Sequence, residues 1–224
     1  EPVYVFSVPS DWAEAHFVAD IILKNANNNF SGFAVLIRAG SLSRIFEEEF
    51  TSRGVPYKLV GATKFYDRME IRDAIAYIRL LVYPFDDISF ERVISKPRRG
   101  FGDSAIIKLR ETGKTLMDAL HVAKLSSKQK ASAEEFLSAF DFDWQNMSTK
   151  EAVQHLLEKS GYLKMWRDSK DTDAEERLDH LRELINGVVA KYDTLPEFLE
   201  HAALMMTDDN DNESDDKNVV SVMT

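Results

Sequence analysis

The sequence of 224 residues contains no cysteine, which excludes disulfide bonds and thiolate metal sites and fits a reducing compartment. It also contains no apolar run of the roughly 18 residues that a membrane-spanning helix requires. The opening stretch, EPVYVFSVPS, includes no methionine and lacks the basic-then-apolar layout of a signal peptide. We therefore expect no membrane partner, and we interpret the sequence as a piece of a longer protein.

Motifs for nucleotide and metal binding are missing as well. The tripeptide GKT at 113–115 resembles the end of a phosphate-binding P-loop, but Lys108 stands where that motif requires its first glycine. The acidic run at 208–216 opens like a calcium loop, but it has Glu213 at the sixth position and Val219 at the twelfth. The histidines are scattered without metal-ligand spacing. We predict no catalytic residue, no metal and no cofactor in this chain.

Strand-like and helical segments alternate at the start of the chain. Continuous apolar runs that are typical of buried strands occur at 3–7, 33–37 and 57–60. Strand–helix–strand–helix–strand with short links indicates a parallel sheet covered by helices. Over 61–206 the pattern predicts only helices, and an apolar run at 219–223 predicts a strand that returns to the first sheet. The expected fold class is α/β, with a partial parallel sheet interrupted by a large all-α inserted domain.

Capping residues and breakers predict where several helices begin and end. Ser10 is an expected N-cap, Gly54 is expected just after the second helix, and Pro84 ends the helix before it. Further helices are predicted near 115–125, 128–140, 149–160, 174–191 and 195–206.

A basic segment interrupts this acidic chain. Residues 92–114 contain seven Arg and Lys and two acidic residues, a net charge of +5, whereas the whole chain has a net charge of −10. Within the segment, GFG at 100–102 follows Arg98 and Arg99 and precedes a helical pattern. Glycines permit a tight turn close to another surface, and a helix start exposes unpaired N–H groups. This pattern is typical of a hairpin that binds nucleic-acid phosphates, and also of a helix–turn–helix with solvated arginines.

Three ordered blocks stand out in the sequence: AVLIRAGSLSR (34–44), GATKFYDRMEIRDAIAYIRLL (61–81) and FERVISKPRRGFGD (90–103). In order and spacing they resemble the superfamily 1 DNA helicases of the UvrD, PcrA and Rep type. Two later segments, SGYLKMW (160–166) and FLEHAAL (198–204), fit weaker blocks of the same family. The similarity spans essentially the whole chain, and it implies a fragment of a helicase that moves 3′ to 5′ along DNA and hydrolyses ATP.

The resemblance also implies a domain arrangement. Residues 1–60 correspond to the first part of the second RecA-like motor domain, 61–208 to the helical domain inserted in it, and 209–224 to an acidic linker with the returning strand. The ATP site lies outside these segments in the family. ATP and Mg²⁺ are therefore implied for the full-length parent, and we expect this fragment alone to be inactive. A bacterial cytoplasmic location is implied too.

Matching positions imply roles for individual residues. Contact with single-stranded DNA is implied for Arg38, Ser43 and Arg44, although glycine at position 40 replaces an asparagine of the family. The GFG turn matches the turn with which the family grips the duplex. With the basic residues around it, the candidate duplex-binding residues are Lys96, Arg98, Arg99, Gly100, Phe101, Gly102 and Ser104. The second block resembles an interdomain hinge, with candidate residues Gly61, Phe65 and Arg68.

Two functions remain open from the sequence. In the first, the chain binds DNA, both duplex and a 3′ single-stranded tail, within a helicase that works with repair or replication proteins. In the second, the insertion is a protein-docking or autoinhibitory module whose basic hairpin meets acidic protein surfaces. Salt dependence separates them, because DNA binding weakens steeply as the salt concentration rises.

Overall fold

The computed structural model describes residues 3–38, 42–207 and 218–223, and the chain divides into two compact units. The first unit contains residues 1–68 and 203–224, and the second contains residues 69–202. Gly40 and the acidic run at 208–216, with its calcium-like opening, lie outside the described residues.

The described residues of the first unit form a small parallel sheet. Its three strands are β1 (Ala34–Leu36), β2 (Tyr57–Val60) and β3 (Val220–Met223), in the order β1-β3-β2. In the centre, Val222 of β3 lies opposite Val35 of β1 and Leu59 of β2. The prediction that the run at 219–223 returns to the first sheet is confirmed.

The predicted strand at 3–7 is wrong. Residues 3–6 take no regular secondary structure, and their large apolar side chains are exposed. The ring of Phe6 packs against that of Phe17 in helix α1 (Asp11–Asn25), with 4.9 Å between centroids. The run has strand propensity, but a strand forms only where a neighbour pairs with its backbone, and no described strand lies beside it.

Two helices cover the sheet in the first unit. Helix α1 begins after Ser10, whose hydroxyl accepts a hydrogen bond from the Ala13 N–H at 3.2 Å, which confirms the predicted N-cap. Helix α2 (Ser43–Ser52) is followed by Gly54 in the left-handed conformation, at φ +65°, as expected for a residue that ends a helix. Sheet and helices share one apolar core that includes Ala19, Ile22, Phe46, Phe50, Val55, Val220 and Val222.

The regular elements of the second unit are all helical. The α-helices are α3 (Met69–Val82), α4 (Asp87–Val93), α5 (Asp103–Arg110), α6 (Leu116–Val122), α7 (Ser127–Ser138), α8 (Thr149–Lys159), α9 (Tyr162–Arg167), α10 (Ala174–Glu183) and α11 (Leu195–Thr207). Helix α11 extends past the end of the unit at residue 202. Helix α3 is almost wholly buried, and its Tyr77 packs against the rings of Phe136 and Tyr162, 6.4 and 5.5 Å between centroids.

The predicted single helix at 174–191 is interrupted. Helix α10 ends at Glu183 and continues as a π-helical turn (Leu184–Val188) and a 3₁₀ turn (Val189–Lys191). The hydroxyl of Thr149 lies 3.0 Å from the Val189 carbonyl oxygen and 2.9 Å from that of Tyr192. The Val189 carbonyl oxygen also accepts from the Tyr192 N–H at 3.1 Å. The Thr149 hydroxyl therefore fastens this irregular end to the start of α8.

Candidate nucleic-acid interface

The basic hairpin lies between α4 and α5. Gly100 is exposed at φ +80°, a conformation that favours glycine, and Phe101 beside it is buried and anchors the turn. Gly102 starts α5 without a side-chain cap. Among the described residues, the backbone N–H groups of Asp103 and Ser104 have no hydrogen-bond acceptor. The turn therefore presents exposed backbone donors at the positive end of a helix.

A cleft opens next to this helix start. Its volume is roughly 360 Å³, and its walls come from α4, the turn and α5. Arg110 and Glu91 both line the cleft and form an ion pair, with the Arg110 Nε 3.0 Å from the Glu91 carboxylate. That pair neutralises one charge of the basic segment.

Two further charges of the segment are held by a buried carboxylate. Asp73 of α3 is fully buried, and its oxygens lie 2.7 Å from the Arg92 Nε and 2.9 Å from the Lys96 ammonium. The hydroxyl of Tyr162 also donates to Asp73, at 3.2 Å. Lys96 was a candidate phosphate contact, and the structure instead directs its ammonium to an internal partner that fastens the hairpin to α3.

Arg99, another candidate, is 7% exposed and lies under the hairpin. Its guanidinium donates to the carbonyl oxygens of Val93, Ile94 and Pro97 at 3.2, 3.2 and 3.3 Å. It also donates to the Ser160 carbonyl oxygen at 2.5 Å, and it stacks over the Phe136 ring at 5.0 Å. These contacts remove Arg99 from the candidate phosphate contacts, because its donors are occupied inside the protein.

The number of positive charges that a phosphate can contact is therefore smaller than the net charge of the segment indicates. Among the described residues, the basic side chains of the segment that are exposed and have no ion-pair partner are Arg98, Lys108 and Lys114. Arg98 lies two residues before Gly100, and the exposed Ser104 lies two residues after Gly102. The structure thus keeps Arg98 and the backbone from Gly100 to Ser104 as the accessible part of the predicted site.

The candidate residues for contact with single-stranded DNA also divide into exposed and buried ones. Arg38 is exposed just beyond β1 and forms no ion pair with another described residue. Ser43 and Arg44 are buried at the start of α2. The Arg44 guanidinium lies 2.8 Å from the Glu48 carboxylate and 5.8 Å from the Trp12 ring. Burial removes Ser43 and Arg44 from the accessible candidates and leaves Arg38.

The candidate hinge residues lie at the end of the first unit. Gly61 is exposed at φ +79°, Phe65 is buried, and the Arg68 guanidinium lies 5.9 Å from the Phe65 ring. The Phe65 N–H donates to Glu47 at 3.0 Å. Burial raises the pKa of Glu47, although that backbone bond opposes the rise. The division between the two units falls directly after Arg68.

Sequence patterns did not reveal a polar cluster at the start of α3. Glu70 is buried there, and its carboxylate lies 2.6 Å from His180 Nδ1 and 3.4 Å from the Arg177 guanidinium. Burial alone would raise the pKa of Glu70, but the His180 hydrogen bond and the nearby positive charges hold it below its ordinary value. Asp73 lies one turn further along. Two acidic residues among the apolar positions of α3 are the signal that could have indicated this cluster.

Comparison with known proteins decides the family. A sequence profile of the UvrD-like helicase C-terminal domain matches residues 1–224, the entire chain. The chain belongs to the UvrD-like helicase C-terminal domain family. The resemblance seen in the three sequence blocks is confirmed.

Two curated bacterial relatives show what this UvrD-like chain is similar to. The chain is 30% identical over 221 residues to a probable DNA helicase II homolog of Rickettsia conorii, covering 92% of the chain and 34% of the relative. It is also 30% identical over 243 residues to the ATP-dependent DNA helicase PcrA of Staphylococcus aureus, covering 100% of the chain and 33% of the relative. The chain therefore spans about a third of the length of these relatives.

Two features are absent from the residues that the structure describes. Within them, no helix combines the length and the hydropathy of a transmembrane span. The same residues contain no group of three or more histidine and acidic side chains placed to hold a metal ion.

Proposed function

We propose that this chain is part of an ATP-dependent DNA helicase, in which the second unit holds duplex DNA and the first unit contributes one wall of the single-strand track. Family membership and relatives named as DNA helicases support the enzyme class. In the full-length parent, ATP and Mg²⁺ would act outside this chain, and repair or replication proteins would be partners. The second unit would be the helical domain inserted into a RecA-like motor domain.

The accessible hairpin turn is the observation that carries the duplex-binding role. Arg98 supplies a charge, and the free N–H groups of Asp103 and Ser104 supply donors at a helix start. Donors of this kind bind phosphate oxygens and carry no information about base sequence. The hairpin would therefore hold any duplex through its backbone while other parts of the helicase move the strand.

We expect Arg98→Ala to weaken duplex binding equally for all sequences. Loss of one phosphate contact should flatten the log–log salt dependence by about 0.9. Gly102→Val should weaken binding without changing the charge, because it blocks close approach of a phosphate to the backbone. Gly102 has φ −95°, and a Cβ there meets nothing within 4 Å, so this change does not strain the turn. The measurement is duplex affinity of the chain over a salt series.

Lys150→Ala is the matched control, since Lys150 is exposed on α8 and has no ion-pair partner among the described residues. It should leave the salt dependence unchanged. An unchanged slope and affinity in both hairpin variants would contradict the phosphate role of this turn.

For the first unit, we expect Arg38→Ala in the full-length parent to reduce single-strand affinity and unwinding while basal ATP hydrolysis persists. Arg38 is exposed, and two acidic residues that could have paired with it are otherwise engaged: Glu47 with the Phe65 N–H and Glu48 with Arg44. Fluorescence anisotropy with a labelled oligonucleotide and a strand-separation assay measure both effects. Lys24→Ala on α1 serves as the control, and normal unwinding by the Arg38 variant would exclude the proposed contact.

The docking alternative also has one supporting observation. Phe85, in the turn between α3 and α4, is 68% exposed, and Ile88, in the first turn of α4, is 85% exposed. Exposed apolar side chains of this size are typical of protein contact surfaces when they cluster. Binding of an acidic partner protein in the absence of DNA, weakened both by Arg98→Ala in the hairpin and by Ile88→Ser, would support this second function.

A further inference from the structure

The start of α7 is tied to the hairpin turn. The Gln129 side-chain amide donates to the Gly100 carbonyl oxygen at 3.1 Å, although the two residues are 29 positions apart. The same amide accepts from the Ser126 hydroxyl at 2.9 Å and its N–H at 3.2 Å, in a capping box that begins α7. Because both ends of the amide are engaged, the first turn of α7 is fixed beside Gly100.

The segment that carries this contact has its own positive charge. The stretch 119–133 contains three lysines and no acidic residue, in a chain whose net charge is −10. Lys128 and Lys130 stand on either side of Gln129 in the first turn of α7. Both are exposed, and neither forms an ion pair with another described residue. Their charges are therefore available to a ligand at the hairpin.

Two helix starts therefore lie beside the Gly100 turn, and their segments carry three exposed cations: Arg98, Lys128 and Lys130. Helix α5 begins after its N-cap Gly102 with free N–H groups. Helix α7 begins after its N-cap Ser126 and is held to Gly100 through Gln129. Each helix start is the positive end of its helix dipole. A duplex presents a negative charge about every 3.4 Å along each strand, so a surface wider than one residue meets several phosphates.

We propose that the first turn of α7, through Lys128 and Lys130, is a second phosphate contact that extends the duplex-binding surface beyond the hairpin. This inference rests on the proposed function, since both contacts would hold the same duplex backbone. The contact would be independent of sequence, as expected for lysine, which acts as a flexible point charge. Gln129 would act as a positioning residue that holds the start of α7 at a fixed distance from the hairpin turn.

The test compares duplex binding of the chain with that of Lys128→Ala/Lys130→Ala over a range of salt concentrations. Loss of two phosphate contacts should flatten the log–log slope by about 1.8. The ratio of wild-type to variant affinity should accordingly shrink roughly tenfold between about 50 and 200 mM salt. Lys150→Ala/Lys170→Ala removes the same charge from other exposed positions of the second unit and should leave the slope unchanged.

The outcomes separate this inference from the proposed function. If Arg98→Ala flattens the slope and the α7 double variant does not, the α7 contact is wrong and the hairpin contact stands. If both double variants flatten the slope equally, the effect is one of overall charge and the α7 contact is again wrong. If neither Arg98→Ala nor the α7 variant changes binding, both assignments fail. Gln129→Ala provides a second check, because it should weaken binding with no change in charge.

Discussion

Replacing Arg99 with alanine should lower the free energy of unfolding by about 3 to 5 kcal/mol. The change leaves the carbonyl oxygens of Ile94, Pro97 and Ser160 without the donor that they have in the structure. The Val93 carbonyl oxygen loses one donor but keeps the Lys96 N–H at 3.0 Å. It also removes the planar group that stacks on Phe136. An unpartnered buried polar group costs about 1 to 3 kcal/mol, so the loss of several at once produces a large effect.

The adjacent arginine provides the matched control for this prediction. Arg98→Ala removes the same side chain one position earlier, but from an exposed site, so its effect on unfolding should be within about 0.5 kcal/mol. Arg99→Lys keeps the charge and loses the planar fork, and we expect it to recover only part of the stability. Denaturant titration measures all three. Equal stability of the two alanine variants would contradict the structural role of Arg99.

This difference between neighbours changes how the hairpin can be tested. A combined Arg98 and Arg99 variant would lose duplex binding through unfolding as well as through loss of a phosphate contact. The two causes would give the same result in a binding assay. Arg98 and Gly102 are both exposed, so substitutions there should change duplex affinity without lowering the free energy of unfolding.

The position of the hairpin could be predicted from the sequence. Which of its basic side chains are buried and which are exposed could not. A glycine pair before a helical pattern indicates a turn, because glycine has conformations that other residues avoid. Whether an arginine faces solvent depends on acceptors distant in sequence, and for Arg99 one of these is Ser160. Arg44 is similar, although the i, i+4 spacing to Glu48 was a local signal for its ion pair.

The strands show the same limit of local patterns. The run at 219–223 becomes a strand because β1 and β2 lie on both sides of it and pair with its backbone. The run at 3–7 is equally apolar but lacks such a neighbour among the described residues, so it remains irregular. Residue propensity predicts a strand for both runs. Only the run whose backbone pairs with neighbouring strands forms one.

Replacing Asp73 with alanine should also destabilise the second unit strongly, by about 2 to 4 kcal/mol. The carboxylate is buried, and its removal leaves Arg92 and Lys96 without their ion-pair partner. The Tyr162 hydroxyl also loses an acceptor, but it keeps the Glu70 carbonyl oxygen at 3.3 Å. Breaking a buried ion pair from one side costs more than the pair itself contributes, because the other charge stays behind. The effect should be smaller than for a fully enclosed pair, since the two cations are 34% and 33% exposed and water can reach them.

A double-mutant cycle with Lys96→Met distinguishes this pairing from general damage to the core. If Lys96 and Asp73 interact as the 2.9 Å distance indicates, Asp73→Ala should cost about 0.5 to 3 kcal/mol less when Lys96 is already absent. The control cycle combines Asp73→Ala with Lys150→Met in place of Lys96→Met. Lys150 lies on the surface of α8 and should show no coupling to Asp73. Strictly additive losses for Asp73 and Lys96 would show that the ammonium does not depend on this carboxylate. Lys96 would then regain its place among the candidate phosphate contacts, because its charge would be available to the duplex.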